Sequence, residues 1–532
     1  MGNIVTLDLR NATLRALTVK DGLIQYVGTE EMARKLCDEN TEVIDFGDNY
    51  IYPGFMDAHC HGSLAGPRLA YLANLQVGNN YEDYFAIMKD FMAKNPDNES
   101  YLGAGWMVFG SEPNAAMLDE ICPDKPMVLN SSDGHTIWVN TLAMKKFGID
   151  KEFAKKWGPG MVHVYEDGTP TGYVSEAPGM AIMQQAMEFT KEELKAALLK
   201  WQDFALSLGF TGYYEAGANE KLLNLYDELD KEGKWKLRTY CGYIMNELSD
   251  DYIADVHKAK EMAEKYNSEH LKVIGVKLFM DGVLEAKTAW LLEDYENDPG
   301  NTGVKRFCDH DRVVELYKEC AKLGLNVHQH CIGDGAVHFA LDCMEEAQTE
   351  TGNMDMRNCI AHLQMVSPED VKRLTELNCI AVVAPLWMFR DDNGFYQNTV
   401  NLIGDKRTFY CYPMNSFVRN YGSLAFHSDY PVSQSVSVPN SVYMACKRAN
   451  PHLGAYYQWN PDECITREYA LAGLTMGPAY SFKQEEHLGS LMIGYVANMA
   501  VFDSDFLNDD LEKVADSKVV ATIVDGEVVY RA

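Results

Sequence analysis

The chain has 532 residues, more than the ~250–300 that one hydrophobic core serves, so a large domain with satellites or several domains is expected. Lys and Arg total 47 against 78 Asp and Glu, a formal net charge of −31 that opposes nucleic acid and anionic membranes as partners and favours a small neutral or cationic molecule. The 13 cysteines follow no disulfide framework, Met1-Gly2-Asn3-Ile4-Val5 has no leader-like pattern, and no apolar run approaches the ~18 residues of a membrane span, so a reduced, cytoplasmic protein is expected.

Residues 1–50 read as short strands (Ile4–Leu7, Gly22–Gly28, Val43–Phe46) with one helix near Glu30–Cys37. The last fifty or so residues read alike: Asn498–Asp503 is a strand, and Val519–Tyr530 is a hairpin about Asp525-Gly526. Together, 1–50 and 485–532 are expected to form a small β-sandwich domain beside a main body of 51–484.

The main body opens with the strand Ile51–Asp57. From Ser63 to about Lys200 strand periodicity lapses; Tyr84, Phe85, Ile87, Met88, Phe91 and Met92 fall at helical spacing, and Asn95-Pro96 stops that helix. The segment 63–200 is expected to be an insertion over the active site. Helix Lys191–Leu208 then opens a regular alternation, with strands Phe210–Tyr214, Lys236–Tyr243, Val273–Met280, Asn326–Cys331, Asn358–Leu363, Cys379–Pro385 and Leu424–Asp429 separated by helical runs. With Ile51–Asp57 these make eight strands, and repeated strand-helix units of this length predict an α/β fold, a (β/α)8 TIM barrel.

Active sites of such barrels lie at the C-terminal ends of the strands. Ligand-type side chains fall there. His59 and His61 share one face where the first strand ends, Lys277 lies in the apolar fourth strand, and His330 or His328 ends the fifth. His362 sits in the sixth strand and Asp429 ends the eighth. A lysine embedded among Val276, Leu278 and Phe279 is favoured as the neutral amine, which can add carbon dioxide to give an anionic carbamate able to bridge two cations. Trp106, His135, Trp138, Trp387 and Phe389 are candidate substrate-binding residues, with ordinary packing as the competing explanation.

This ordered set resembles the amidohydrolase superfamily, and within it the type-3 branch that includes N-substituted formamide deformylases. The resemblance runs over nearly the whole chain: Pro53-Gly54-Phe55-Met56-Asp57-Ala58-His59-Cys60-His61, Asp133-Gly134-His135 with Trp138-Val139-Asn140, Val276-Lys277-Leu278-Phe279-Met280-Asp281-Gly282, His330-Cys331-Ile332-Gly333-Asp334, His362, Ser428-Asp429, and Leu488-Gly489-Ser490-Leu491 with Gly494. It implies metal ligation by His59, His61, His330, His362 and Asp429, a carbamylated Lys277 bridging two divalent ions, and Asp429 as catalytic base. It also favours His330 over His328. Gly335, Ala384, Lys287 and His427 depart from the branch, which commonly has Arg, Gln, Arg and Gly there, so no named substrate is carried over.

The reaction expected is hydrolysis of a C–N bond, of amide, N-acyl or N-formyl type, in a small molecule by metal-activated water. Zinc is the expected metal, and a homodimer is the expected assembly. The rivals are a deaminase or other hydrolase on the same barrel and a catalytically inactive structural homologue. Lys277 argues against the first and the complete ligand set against the second.

Overall fold

The computed structural model describes every residue except 9–12, 133, 159, 392–393, 434 and 454–456. The chain divides into two compact units, one formed by Met1–Gly62 with Gln202–Ala532 and the other by Ser63–Trp201.

The first unit is built on a sheet of eight parallel strands whose neighbours follow chain order: Phe55–Cys60, Phe210–Ala218, Arg238–Ile244, Leu271–Phe279, Asn326–Cys331, Cys359–His362, Ile380–Val383 and Leu424–Phe426. Asp429 N–H donates to the His59 carbonyl (3.0 Å) and His61 N–H to the Tyr430 carbonyl (2.9 Å), which brings the end of the eighth strand back to the first. The sheet is thus a nearly closed barrel, the (β/α)8 architecture expected from the alternation. Every residue of Phe55–Cys60 and Asn326–Cys331 is buried, as strands covered on both faces require.

The connecting helices start and stop where their sequences direct. Asp309 accepts the Arg312 N–H to cap His310–Leu323, which ends in the left-handed Gly324. Ser367 caps Pro368–Glu376, with Pro368 in the first turn.

The expected strand Ile51–Asp57 is in fact two. Tyr50–Pro53 lies in a six-stranded sheet with strands from both ends of the chain, and Phe55–Cys60 lies in the barrel. The break falls at Gly54, where a Cβ would meet Thr211 Oγ1 at 2.2 Å, while its N–H donates to Asn498 (2.8 Å). The six-stranded sheet runs Thr13–Leu14, Asn3–Val5, Tyr50–Pro53, Met499–Phe502, Val519–Val524, Glu527–Arg531. With the hairpin Ala16–Lys20/Leu23–Gly28 it encloses one apolar core that includes Ile4, Ile24, Ile51, Met499 and Ile523. Asp525 (φ 52°) and Gly526 (φ 83°) make the expected hairpin turn. Val43–Phe46 forms no strand: Phe46 N–H is taken by the Met1 carbonyl and Val43 is exposed.

The second unit corrects the impression that strands lapse after Ser63. It holds its own six-stranded sheet, in the order Val162–Val164, Pro170–Ser175, Thr136–Val139, Met127–Ser131, Tyr101–Trp106, Leu72–Asn74. Thr136–Val139 is buried throughout and Met127–Ser131 almost so, which removes the in-out alternation that marks a half-exposed strand. The helix around Tyr84–Met92 is present as Tyr81–Lys94, capped by Asn80.

Candidate metal centre

The ends of the first and eighth barrel strands are tied through one buried carboxylate. Asp57 accepts the N–H groups of His59 (3.1 Å) and Ser428 (3.1 Å). Burial pushes its carboxyl up to about 7 in spite of those bonds. His362 (φ 80°) and Asp429 (φ 56°) both adopt left-handed backbone conformations where their strands end.

These ends deliver six histidines, a lysine and an aspartate to one region. The imidazole centroids of His59 lie 5.4 Å from His61 and 4.9 Å from His362, and those of His330 and His362 lie 4.6 Å apart. Asp429 Oδ1 stands 3.5 Å from His59 Nε2 and 3.4 Å from His61 Nε2. Ligand atoms of His59, His362 and Asp429 all lie within 4.8 Å of one another. Lys277 is 0% exposed, with Nζ 3.2 Å from His59 Nε2 and 4.8 Å from the Phe279 ring centre, and has no carboxylate partner among the described residues. It therefore neither snorkels to solvent nor sits in a rim salt bridge.

The electrostatics suit ligation. Burial drives the pKa values of His59 and His362 well below the usual imidazole value, leaving neutral rings with lone pairs to offer. Burial lowers the Lys277 amine to about 7, with Asp429 acting in the opposite sense. Asp429 Oδ1, His362 Nδ1 and both ring nitrogens of His427 are buried without a hydrogen-bond partner. An unpartnered buried polar atom costs about 1–3 kcal/mol, so Asp429 Oδ1 and His362 Nδ1, side by side with His59, fit a divalent cation that would engage them.

Several groups that shape the centre were not singled out from the sequence as working residues. His328, the alternative to His330 at the end of the fifth strand, places Nε2 2.7 Å from His59 Nδ1 and stacks on Tyr214 at 4.3 Å. With Nδ1 of His59 so engaged, its Nε2 faces Lys277 and Asp429. Asp281 accepts from His330 Nδ1 (3.0 Å) and from the N–H groups of Ile332 (3.1 Å), Gly333 (2.8 Å) and Trp290 (3.1 Å), so it fixes the ring of His330 and the loop after it. The sequence signal for Asp281 was its place two residues beyond a strand end, in Asp281-Gly282. Between His328 and His330, the contact with His362 belongs to His330.

Of the candidate substrate residues, Trp387 lies beside the centre. It stacks on His362 (5.5 Å, 16°), and its indole N–H donates to Ser433 (2.7 Å), whose hydroxyl bonds to the Ser428 carbonyl. Phe389 packs against Leu386, Tyr443 and Met444. Trp106 and Trp138 are core residues of the Ser63–Trp201 unit, their N–H groups taken by the carbonyls of Leu129 (2.9 Å) and Asn114 (2.8 Å), so packing accounts for both. His135 is exposed and pairs with Glu176 (3.2 Å); Asp133, two residues before it, lies outside the described residues. Gly335 is where the departures have a clear physical consequence: a Cβ there would meet Trp290 Cδ1 at 2.6 Å, so any side chain would require that ring to move.

Known proteins resemble the chain over nearly its whole length. The chain is 25% identical to the N-substituted formamide deformylase of Arthrobacter pascens, over 99% of this chain and 97% of that one. It is 27% identical to the protein LONG AFTER FAR-RED 3 of Arabidopsis thaliana, over 99% of this chain and 90% of that one. An uncharacterised metal-dependent hydrolase from Pyrococcus furiosus superposes with a TM-score of 0.75 at 25% identity, covering 95% of this chain and 98% of that one. The model of the amidohydrolase family matches residues 42–530, and the chain belongs to that family.

Proposed function

We propose that this protein is a metal-dependent amidohydrolase that cleaves a C–N bond, of amide, N-acyl or N-formyl type, in a small molecule. The observation that carries this reading is the buried lysine: Lys277, in an apolar strand with its amine lowered to about 7, stands 3.2 Å from a histidine of the centre. Similarity over nearly the full length to a formamide deformylase supports the bond type.

His59, His61, His330, His362 and Asp429 are the residues that would hold two divalent ions, with Lys277 contributing as its carbamate. Carbon dioxide adds to the neutral amine with loss of one proton, which gives an anionic ligand with two oxygens. A set rich in neutral imidazoles suits zinc. When bound, such a metal brings the pKa of water towards ~7 and polarises a carbonyl oxygen.

The remaining chemistry belongs to the chain. Asp429, at the end of the eighth strand with Oδ1 free of hydrogen bonds, accepts the proton of the attacking water and returns it to the departing nitrogen. His328 and Asp281 hold the rings of His59 and His330 in orientation. Trp387, locked by Ser433, forms an apolar wall beside His362, which favours a substrate with an apolar or aromatic portion next to the scissile bond. A reducing compartment such as the cytoplasm suits a chain whose 13 cysteines are all unpaired. No helix among the described residues is long and apolar enough to cross a membrane.

The reading is tested by turnover of a panel of N-formyl, N-acyl and cyclic amides with zinc-loaded and chelator-treated protein. Metal-dependent release of an amine and a carboxylic acid is expected. Release of ammonia from heterocyclic amines, with none from the amide panel, would move the protein to the deaminases.

A further inference from the structure

One imidazole at the centre has no role in the ligand set above. His427 directly follows the eighth strand, two residues before Asp429. It is 3% exposed, and neither ring nitrogen has a hydrogen-bond partner. Each nitrogen of a neutral imidazole is a full donor or acceptor, so burying the ring unpaired is costly unless something outside the polypeptide engages it.

What surrounds the ring narrows that partner. Its centroid is 4.9 Å from that of His362 and 5.3 Å from that of His59, while the edge of Trp387 closes another side at 5.5 Å. Those first two separations fall within the 4.6–5.4 Å range found among His59, His61, His330 and His362 themselves. His427 is therefore packed among the prospective ligands as closely as they are among one another. A purely structural histidine would have its nitrogens taken by protein partners, as His270 has both of its own taken by the carboxylates of Asp230 (3.2 Å) and Asp525 (2.8 Å).

We propose that His427 is a further nitrogen ligand of the metal centre, which makes this site richer in imidazole by one than the set read from the family resemblance. The inference rests on the metal-binding reading of the same site. The family's usual glycine at this position offers no donor, so the difference would be a property of this chain and not of the barrel in general.

The test compares wild-type protein with His427→Gln and His427→Gly after loading with cobalt(II), reading metal content, affinity by chelator competition and the visible spectrum of the bound ion. Both variants are expected to bind the metal about 10-fold or more weakly and to show altered ligand-field bands. Equal affinity and an unchanged spectrum would overturn the assignment while leaving the metal centre standing; a wild type that binds no metal would overturn both. Should the variants not fold, a crystal structure of zinc-loaded wild type decides. A His427 ring nitrogen at about 2.0–2.1 Å from zinc is expected, and a ring turned away from every bound ion would refute the proposal.

Discussion

His59 Nδ1 and His328 Nε2 lie 2.7 Å apart, and this contact decides which nitrogen of His59 faces the centre. Metal-binding histidines generally engage their second nitrogen with a fixed partner, and loss of that partner weakens the metal by about 10–100-fold. His328→Phe keeps a ring to stack on Tyr214 and removes the nitrogen. Its metal affinity should fall by about 10–100-fold with thermal unfolding of the metal-free protein little changed. Wild-type affinity in this variant would mean that His328 does not position His59.

Lys277 gives a pH dependence with a definite sign. Its amine titrates near 7 in the folded protein against 10.5 for a free lysine, so between those values the unfolded chain binds a proton that the metal-free native state does not. Stability from this group therefore rises as pH increases across that window. Uptake of isotopically labelled carbon dioxide by metal-free protein should likewise grow as pH passes about 7, and vanish in Lys277→Ala. That variant should also lose metal and turnover, with partial rescue by short carboxylic acids. Carbon dioxide uptake identical in wild type and variant would remove the carbamate from the account.

The barrel was legible because its strands are separated by helical runs, and the candidate ligand residues were legible because each stands within such a strand or close to its end. Gly54 shows what a single-strand reading of Ile51–Asp57 passes over: Pro53-Gly54 is a breaking pair, and the run divides there between two sheets, with no room for a side chain beside Thr211. In the Ser63–Trp201 unit, strands buried on both faces, such as Thr136–Val139, carry no alternation, and Trp106 and Trp138 looked like pocket residues because aromatic content does not distinguish a wall from a core. The links His59–His328 and His330–Asp281 join residues 269 and 49 positions apart, the first from non-adjacent strands of the barrel and the second through pairing of the fourth and fifth strands.

Asp281 is predicted to matter for stability as well as for the centre. Asp281→Ala strips the acceptor from His330 Nδ1 and from the main-chain N–H groups of Ile332, Gly333 and Trp290. At about 1–3 kcal/mol for each buried donor left unpaired, a loss of roughly 3 kcal/mol or more is expected in denaturant unfolding. A change below about 1 kcal/mol would show that water replaces the carboxylate without penalty.

Asp429→Asn separates proton transfer from ligation. Asparagine keeps the size and one coordinating oxygen but accepts no proton, so metal content should largely survive while turnover falls about 10²–10⁴-fold. A metal-loaded variant nearly as active as wild type would assign the proton shuttle to another group.

The central claim is that the strand ends of this barrel bind divalent metal, and elemental analysis of protein purified without chelator and supplemented with zinc tests it most directly. Four histidines, Lys277 and Asp429 converging at one place predict about two ions per chain, with both lost in Lys277→Ala. Protein that is folded, supplemented and free of bound metal would contradict the account.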